Sequence, residues 1–141
     1  MTNTQDALLL VARIFLSIMF IVAGFGKLVD PAGTAGMIAG AGIPAATALA
    51  YLAGLFELVA GLAILVGFQT RIAAVLLALF CVFTALVFHT GTIAVPGWNE
   101  DALGLINLFN FLIMQKNLTL AGGYLALAAA GAGAYSIDAR R

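Results

Sequence analysis

Apolar residues run along this chain in blocks interrupted at only a few polar positions. Three runs, roughly 7–29, 45–67 and 70–90, each reach the length of about 20 residues that a helix needs to cross about 30 Å of hydrocarbon. Pro44 suits the first turn of the second run. Gly67-Phe68-Gln69-Thr70 reads as a tight hairpin to the third, with Thr70 as candidate N-cap. The segment "VDPAGTAGMIAGAGIP" is rich in Gly and Ala and predicts a loop with a short interfacial turn. After the third run comes "TGTIAVPGWNED", where Asn99, Glu100 and Asp101 are capping candidates and Trp98 suits a membrane interface. The stretch 102–134 would be about 50 Å long as one helix. It is expected to bend near Gln115–Asn117 or at Gly122-Gly123. The pattern therefore predicts an all-α integral membrane four-helix bundle, one domain over residues 1–141.

Composition strengthens that reading. Hydrophobic residues make up 64% of the chain and charged ones 9%, with mean hydropathy +1.14. Soluble domains carry roughly 25% charged residues, so this chain cannot cover its surface with polar groups. The polar start "MTNTQD" has no Lys or Arg, and the apolar run continues past any cleavage point, so a retained helix is expected rather than a signal peptide. Net charge is zero, which offers nucleic acid no footprint. Arg71, Arg140, Arg141 and, further in, Arg13 fall at the end that holds both termini. Lys27 and Lys116 accompany Asp30, Glu100 and Asp101 toward the other end. Because Lys and Arg mark the cytoplasmic side, both termini are expected there.

Polar residues follow helical spacing. Arg13, Ser17, Phe20, Gly24 and Lys27 share one face of the first helix. Glu57 shares a face with Gly54 and Gly61, where small residues let another helix approach. On the third helix Arg71 and His89 lie on one face at opposite depths, and the fourth carries Asn107, Asn110, Met114 and Asn117 with Lys116 beside them. A polar seam inside the bundle follows. An ionisable group at mid-bilayer costs roughly 2.5–3.5 kcal/mol on insertion scales, so Glu57 should face the interior, with Arg13 or Lys116 as its partner. Arg71 and Lys27 are expected to snorkel to headgroups. His89 has no second His or Cys at metal-ligand spacing. The lone Cys81 excludes an internal disulfide, and no metal or covalent cofactor is indicated.

Several motifs together resemble the DoxX family of small four-helix membrane proteins: "AGFGKLVDP", "ELVAGLAILVGFQTR", a His ending the third helix, and "KNLTLAGGYLALAAAGAGAYSIDA". One departure is Gly131-Ala132-Gly133, where a Gly-Pro-Gly is common in the family. The resemblance implies a multi-pass protein of the bacterial cytoplasmic (inner) membrane. It also implies a link to redox work, since relatives include a subunit of a thiosulfate:quinone oxidoreductase and a membrane partner of thiol-stress and superoxide-detoxifying proteins.

Two functions compete. In the first, the chain is a membrane subunit of quinone-linked electron transfer: Glu57 and His89 relay protons as the catalytic pair, and Arg13, Lys116, Asn110 and Asn117 bind the cofactor. No side chain here carries electrons, so a membrane or soluble redox protein partner would be required. In the second, the chain is a non-catalytic structural or assembly subunit of a larger complex, and the charges only hold the bundle. A small transporter is a weaker third reading, since no inverted repeat is evident. The lipid bilayer is the expected surrounding, and a homo-oligomer is left open.

Overall fold

The computed structural model describes residues 2–141. Five helices are present among them: α1 Asn3–Val29, α2 Ala32–Gly40, α3 Ala46–Val66, α4 Thr70–Phe88 and α5 Glu100–Ala130, followed by a single 3-10 turn, Asp138–Arg140. Helices α1, α3 and α4 are long and apolar enough to cross a membrane.

Local chemistry sets the boundaries. Thr2 and Gln5 close a capping box at the start of α1, four residues earlier than the apolar run begins. The segment expected to be a loop instead forms the nine-residue α2; its Ala residues favour helix, and burial of Ile38 against the bundle holds it. Pro44 lies outside α3, because Ala45 takes a left-handed conformation (φ 56°) before the helix starts. At α4 the N-cap is Gln69, not Thr70, and the capping oxygens come from a distant carboxylate described below. Asn99 caps α5 by accepting from the Ala102 N–H at 2.8 Å, with Glu100 and Asp101 in the first turn, where acidic groups complement the helix dipole. Helix α5 stops at Ala130, four residues short of the expected end, because Gly131 turns to φ 87°, and the Arg71 guanidinium binds the freed carbonyls of Ala128 and Ala129 at 2.6 and 2.9 Å.

Helices α1 and α3 pack as one antiparallel pair and α4 and α5 as another, with α2 resting on α3. The first pair is close because Gly24 faces Gly54: a Cβ on Gly24 would stand 2.5 Å from the Leu58 nitrogen and 2.7 Å from the Gly54 oxygen. The two pairs meet in a core of Phe20, Ile64, Leu77, Cys81, Tyr124 and Leu127. Phe20 stands edge-on to Tyr124, with centroids 5.6 Å apart, and the Tyr124 hydroxyl donates to the Leu16 carbonyl at 2.7 Å. Arg13, Ser17, Glu57, Asn110 and Asn117 are buried, while Leu8, Phe15, Val22, Leu52, Leu79, Leu86 and Leu125 are exposed. Polar inside and apolar outside is the arrangement a bilayer demands.

Candidate functional site

The bundle has two polar ends of different construction. At the terminal end, the start of α1, the α3–α4 hairpin and the tail after α5 converge. Asp6 accepts from the Ala134 N–H at 2.8 Å. Arg13, 0% exposed, donates through Nη2 to the Tyr135 carbonyl. The tail then adds backbone bonds to the hairpin, Ile137 N–H to the Val66 carbonyl at 3.1 Å and Asp138 N–H to the Gly67 carbonyl at 2.8 Å. Asp138 turns its carboxylate onto the N–H groups of Gln69 and Thr70 at 2.8 and 2.9 Å, capping α4 from 68 residues away. Burial works against charge on Asp138, but the Thr70 and Gln69 amides and the nearby Arg141 outweigh it and hold the carboxyl below its ordinary value. A shallow cavity of about 670 Å³ lies among these groups. Arg71 does not snorkel; its guanidinium caps α5.

The opposite half holds a larger cavity of about 800 Å³, enclosed by α1, α2, α3, α4 and α5. Its polar lining is Lys27, Thr34, Glu57, Thr84, His89, Lys116 and Asn117. Phe20, Phe56, Phe80, Phe83, Met37 and Ile38 supply much of its apolar wall. Leu52, Leu76, Leu79 and Phe83 line it and are also exposed on the flank of the bundle. The cavity therefore opens onto the apolar surface, between α3 and α4.

Glu57 is paired with Lys27, Nζ to Oε2 at 2.7 Å, rather than with Arg13 or Lys116. The reason is register. Gly24 packs against Gly54 and Leu58. Lys27, one turn further along α1, stands beside Gly54, where an added Cβ would lie 2.9 Å from the Lys27 Cβ. Its long side chain therefore reaches Glu57, one turn along α3. Arg13, eleven residues before Gly24, lies about 16 Å away along the axis and reaches Gly67 instead. Lys27 thus does not snorkel. Lys116 faces the same cavity but makes no hydrogen bond or ion pair among the described residues.

His89 is the C-cap of α4. Its Nδ1 lies 2.8 Å from Asn110 Oδ1. The Asn110 amide donates to the carbonyls of Gly91 at 2.9 Å and His89 at 3.4 Å; its oxygen is therefore the acceptor toward the imidazole. With the proton on Nδ1, neutral His89 keeps Nε2 as an acceptor. Asn107 binds Ile93 both ways, accepting from its N–H at 2.7 Å and donating to its carbonyl at 3.0 Å. Asn117 donates to the Thr84 hydroxyl at 3.0 Å.

Of the residues singled out in the sequence, Glu57, His89, Lys116 and Asn117 meet in one cavity. Asn110 stands behind His89 and orients it, and Arg13 lies at the other end of the bundle. The sequence reading missed Lys27, Thr84 and the contribution of α2. For Lys27 the signal was present, since it falls on the stripe of Gly24 and Arg13.

The chain is similar to known proteins over most of its length. The family model described as DoxX matches residues 8–90. Two curated relatives come from Escherichia coli (strain K12). Inner membrane protein YqjF is 42% identical over 138 residues, covering 98% of this chain and 95% of the relative. Inner membrane protein YphA is 38% identical over 138 residues, covering 96% and 91%. No solved structure matches.

Proposed function

The chain belongs to the DoxX family and is an integral protein of the inner membrane, and on that premise we propose that it is a quinone-binding subunit of a membrane redox system. The observation that supports this is the cavity of about 800 Å³. Ligand sites commonly measure roughly 300–1,000 Å³ and combine apolar walls with a few placed polar groups. A quinone needs such a place: hydrogen-bonding partners for its ring oxygens and an apolar path for its tail. Lys116 and Asn117 are donors, His89 Nε2 is an acceptor, and the opening onto the flank would admit the tail from the bilayer.

In this reading each residue has a defined task. His89, held by Asn110, takes a proton from a ring hydroxyl or returns one. Glu57 passes protons while Lys27 keeps it oriented. Lys116 and Asn117 position the ring oxygens, and the Phe56 and Phe80 rings, 5.2 Å apart, exclude water from one side. A bound quinone would supply the two-electron couple, and a redox protein partner would exchange those electrons with it. The rival reading, a non-catalytic subunit, is favoured by the Lys27–Glu57 pair itself, which holds α1 to α3 without any ligand.

Four crossings, by α1, α3, α4 and α5, with both termini cytoplasmic, complete the proposal. The support is the gathering of Arg13, Arg71, Arg140 and Arg141 at the terminal end. In a Cys81→Ala background, Thr92→Cys should react with an impermeant thiol reagent in spheroplasts and Arg140→Cys should not; the reverse result overturns the orientation. Quinone titration of the purified protein in lipid nanodiscs tests the function. Saturable binding, weakened at least about tenfold by His89→Ala, is expected. A wild type that binds no quinone analogue loses the site to the structural reading.

A further inference from the structure

The charges around the large cavity do not balance. Its titratable lining comprises Lys27 from α1, Glu57 from α3, His89 at the end of α4 and Lys116 from α5. The first two neutralise each other through a 2.7 Å ion pair. His89 is committed through Nδ1 to Asn110. That leaves the Lys116 ammonium as the one cation in the cavity without an acceptor among the described residues. Its neighbour Asn117 bonds to Thr84 and not to Lys116. A half-buried ammonium in an apolar surround requires a partner, and the cavity provides space for one beside it.

We propose that the site prefers a quinone head carrying an ionised ring oxygen, and that Lys116 is the residue that sets this preference. This rests on the quinone-site reading above and adds the charge state of its ligand. A neutral carbonyl would receive a hydrogen bond from the Lys116 ammonium with charge on the donor alone. An ionised ring oxygen would add direct attraction between opposite charges, in a setting where little water screens it. The Lys27–Glu57 pair contributes to selectivity by its neutrality, because an unpaired Glu57 would repel the same anion.

The test uses two probes with the same alkyl tail: a naphthoquinone, and its ring-hydroxylated counterpart, whose hydroxyl is ionised at neutral pH. Kd is measured for both, in nanodiscs of neutral lipid. Wild type should bind the hydroxylated probe at least about tenfold tighter, and Lys116→Met should bind both equally, each more weakly than the wild type does. Saturable binding of the plain naphthoquinone by Lys116→Met, reduced only as the loss of one donor requires, reports an intact cavity. Lys116→Arg should keep the preference. Where Lys116→Met does not fold, the wild type alone decides: the preference must disappear as acid protonates the probe's hydroxyl. Equal Kd values in the wild type overturn the inference and leave the quinone site standing. Failure of both probes to bind overturns the quinone site itself. A preference that survives Lys116→Met assigns it elsewhere and refutes the role of Lys116. A fatty acid with the same tail that displaces the hydroxylated probe with equal affinity shows that charge alone is read, and refutes the ring-oxygen assignment.

Discussion

The terminal end and the cavity end both bury ionisable side chains among apolar helices, yet they use them differently. At the terminal end Asp6, Arg13, Arg71 and Asp138 all bond to backbone groups, each on a segment remote in sequence. Such bonds saturate peptide groups that have no other partner and fix the path of the chain. At the cavity end Lys27 and Glu57 bond to one another, Asn117 bonds to Thr84, and Lys116 bonds to nothing among the described residues. There Lys27, Glu57 and Asn117 bond to side chains, and these groups and Lys116 keep part of their bonding capacity. A charged residue in a membrane helix is therefore not in itself a sign of a site. What it bonds to separates the two uses.

The largest expected effect comes from attacking the terminal end where it is tightest. Gly67 has φ +69°, and a Cβ there would collide with Arg13 Nη1 and the Ser136 side chain. Gly67→Ala combines left-handed strain, about 1–3 kcal/mol, with overpacking, about 1–3 kcal/mol. It should fail to accumulate in the membrane or melt far below the wild type. Gly42, at φ +74°, has nothing within 4 Å of such a Cβ, so Gly42→Ala should show the strain alone. Equal melting temperatures for the two variants in detergent would mean that the tail does not seal the hairpin.

The next test moves to the cavity end. Lys27→Met leaves Glu57 buried and unpaired, its side chain 5% exposed, whereas Glu57→Gln leaves Lys27 with 22% of its side chain exposed. Breaking a buried pair costs about 3–5 kcal/mol, and Lys27→Met should approach the lower limit. Glu57→Gln should cost less. The double variant should recover most of the loss, while Glu57→Gln combined with Arg13→Met should be additive, as for residues more than about 7–10 Å apart. Coupling of Glu57 to Arg13 instead of Lys27 in chemical denaturation would contradict the register described above.

That register also shows how far the sequence could be read. The apolar runs located α1, α3 and α4 to within a few residues, because crossing a bilayer demands unbroken hydrophobic length. The polar seam was legible from helical spacing, and with it four of the six candidate site residues now found in one cavity. Helical spacing gives a face but not the sliding of one helix along another, so Glu57 was matched to Arg13 or Lys116. The Gly24–Gly54 approach sets that sliding. The tail was illegible for a different reason. Asp138 caps a helix 68 residues away, and a local capping signal cannot reveal such a contact; Thr70 drew the assignment because it was adjacent.

A smaller effect is expected at Asp138, and it has a sign. The carboxyl sits below its ordinary value in the fold, so it contributes stability at pH above its unfolded value of about 3.9. The contribution disappears as pH falls through the folded value. Asp138→Ala should lower stability at pH 7 by about 0.5–2 kcal/mol, the usual loss for a helix N-cap. The gap between variant and wild type should close as the pH falls well below 4. A gap that stays constant from neutral to strongly acidic pH would show that the charge of Asp138 is not what caps α4.

The smallest effect separates the two uses of polar groups most finely. Thr84 donates to the Phe80 and Cys81 carbonyls at 2.9 and 3.1 Å and accepts from Asn117 at 3.0 Å. Its hydroxyl therefore ties a cavity-lining amide to the wall. Thr84→Val keeps the shape and removes the acceptor. The carbonyls retain their helical partners, so the loss should be about 0.5–1.5 kcal/mol, that of one net hydrogen bond. The amide of Asn117 is then free to turn toward a bound ring oxygen. If the cavity end is built for a ligand, quinone binding should hold steady or tighten as stability falls. If Asn117 serves only to join α5 to α4, stability should fall and ligand affinity should fall with it, because the walls loosen. Paired melting and quinone-titration curves of this single variant distinguish the outcomes, and a joint decline would place Asn117 with the structural groups of the terminal end.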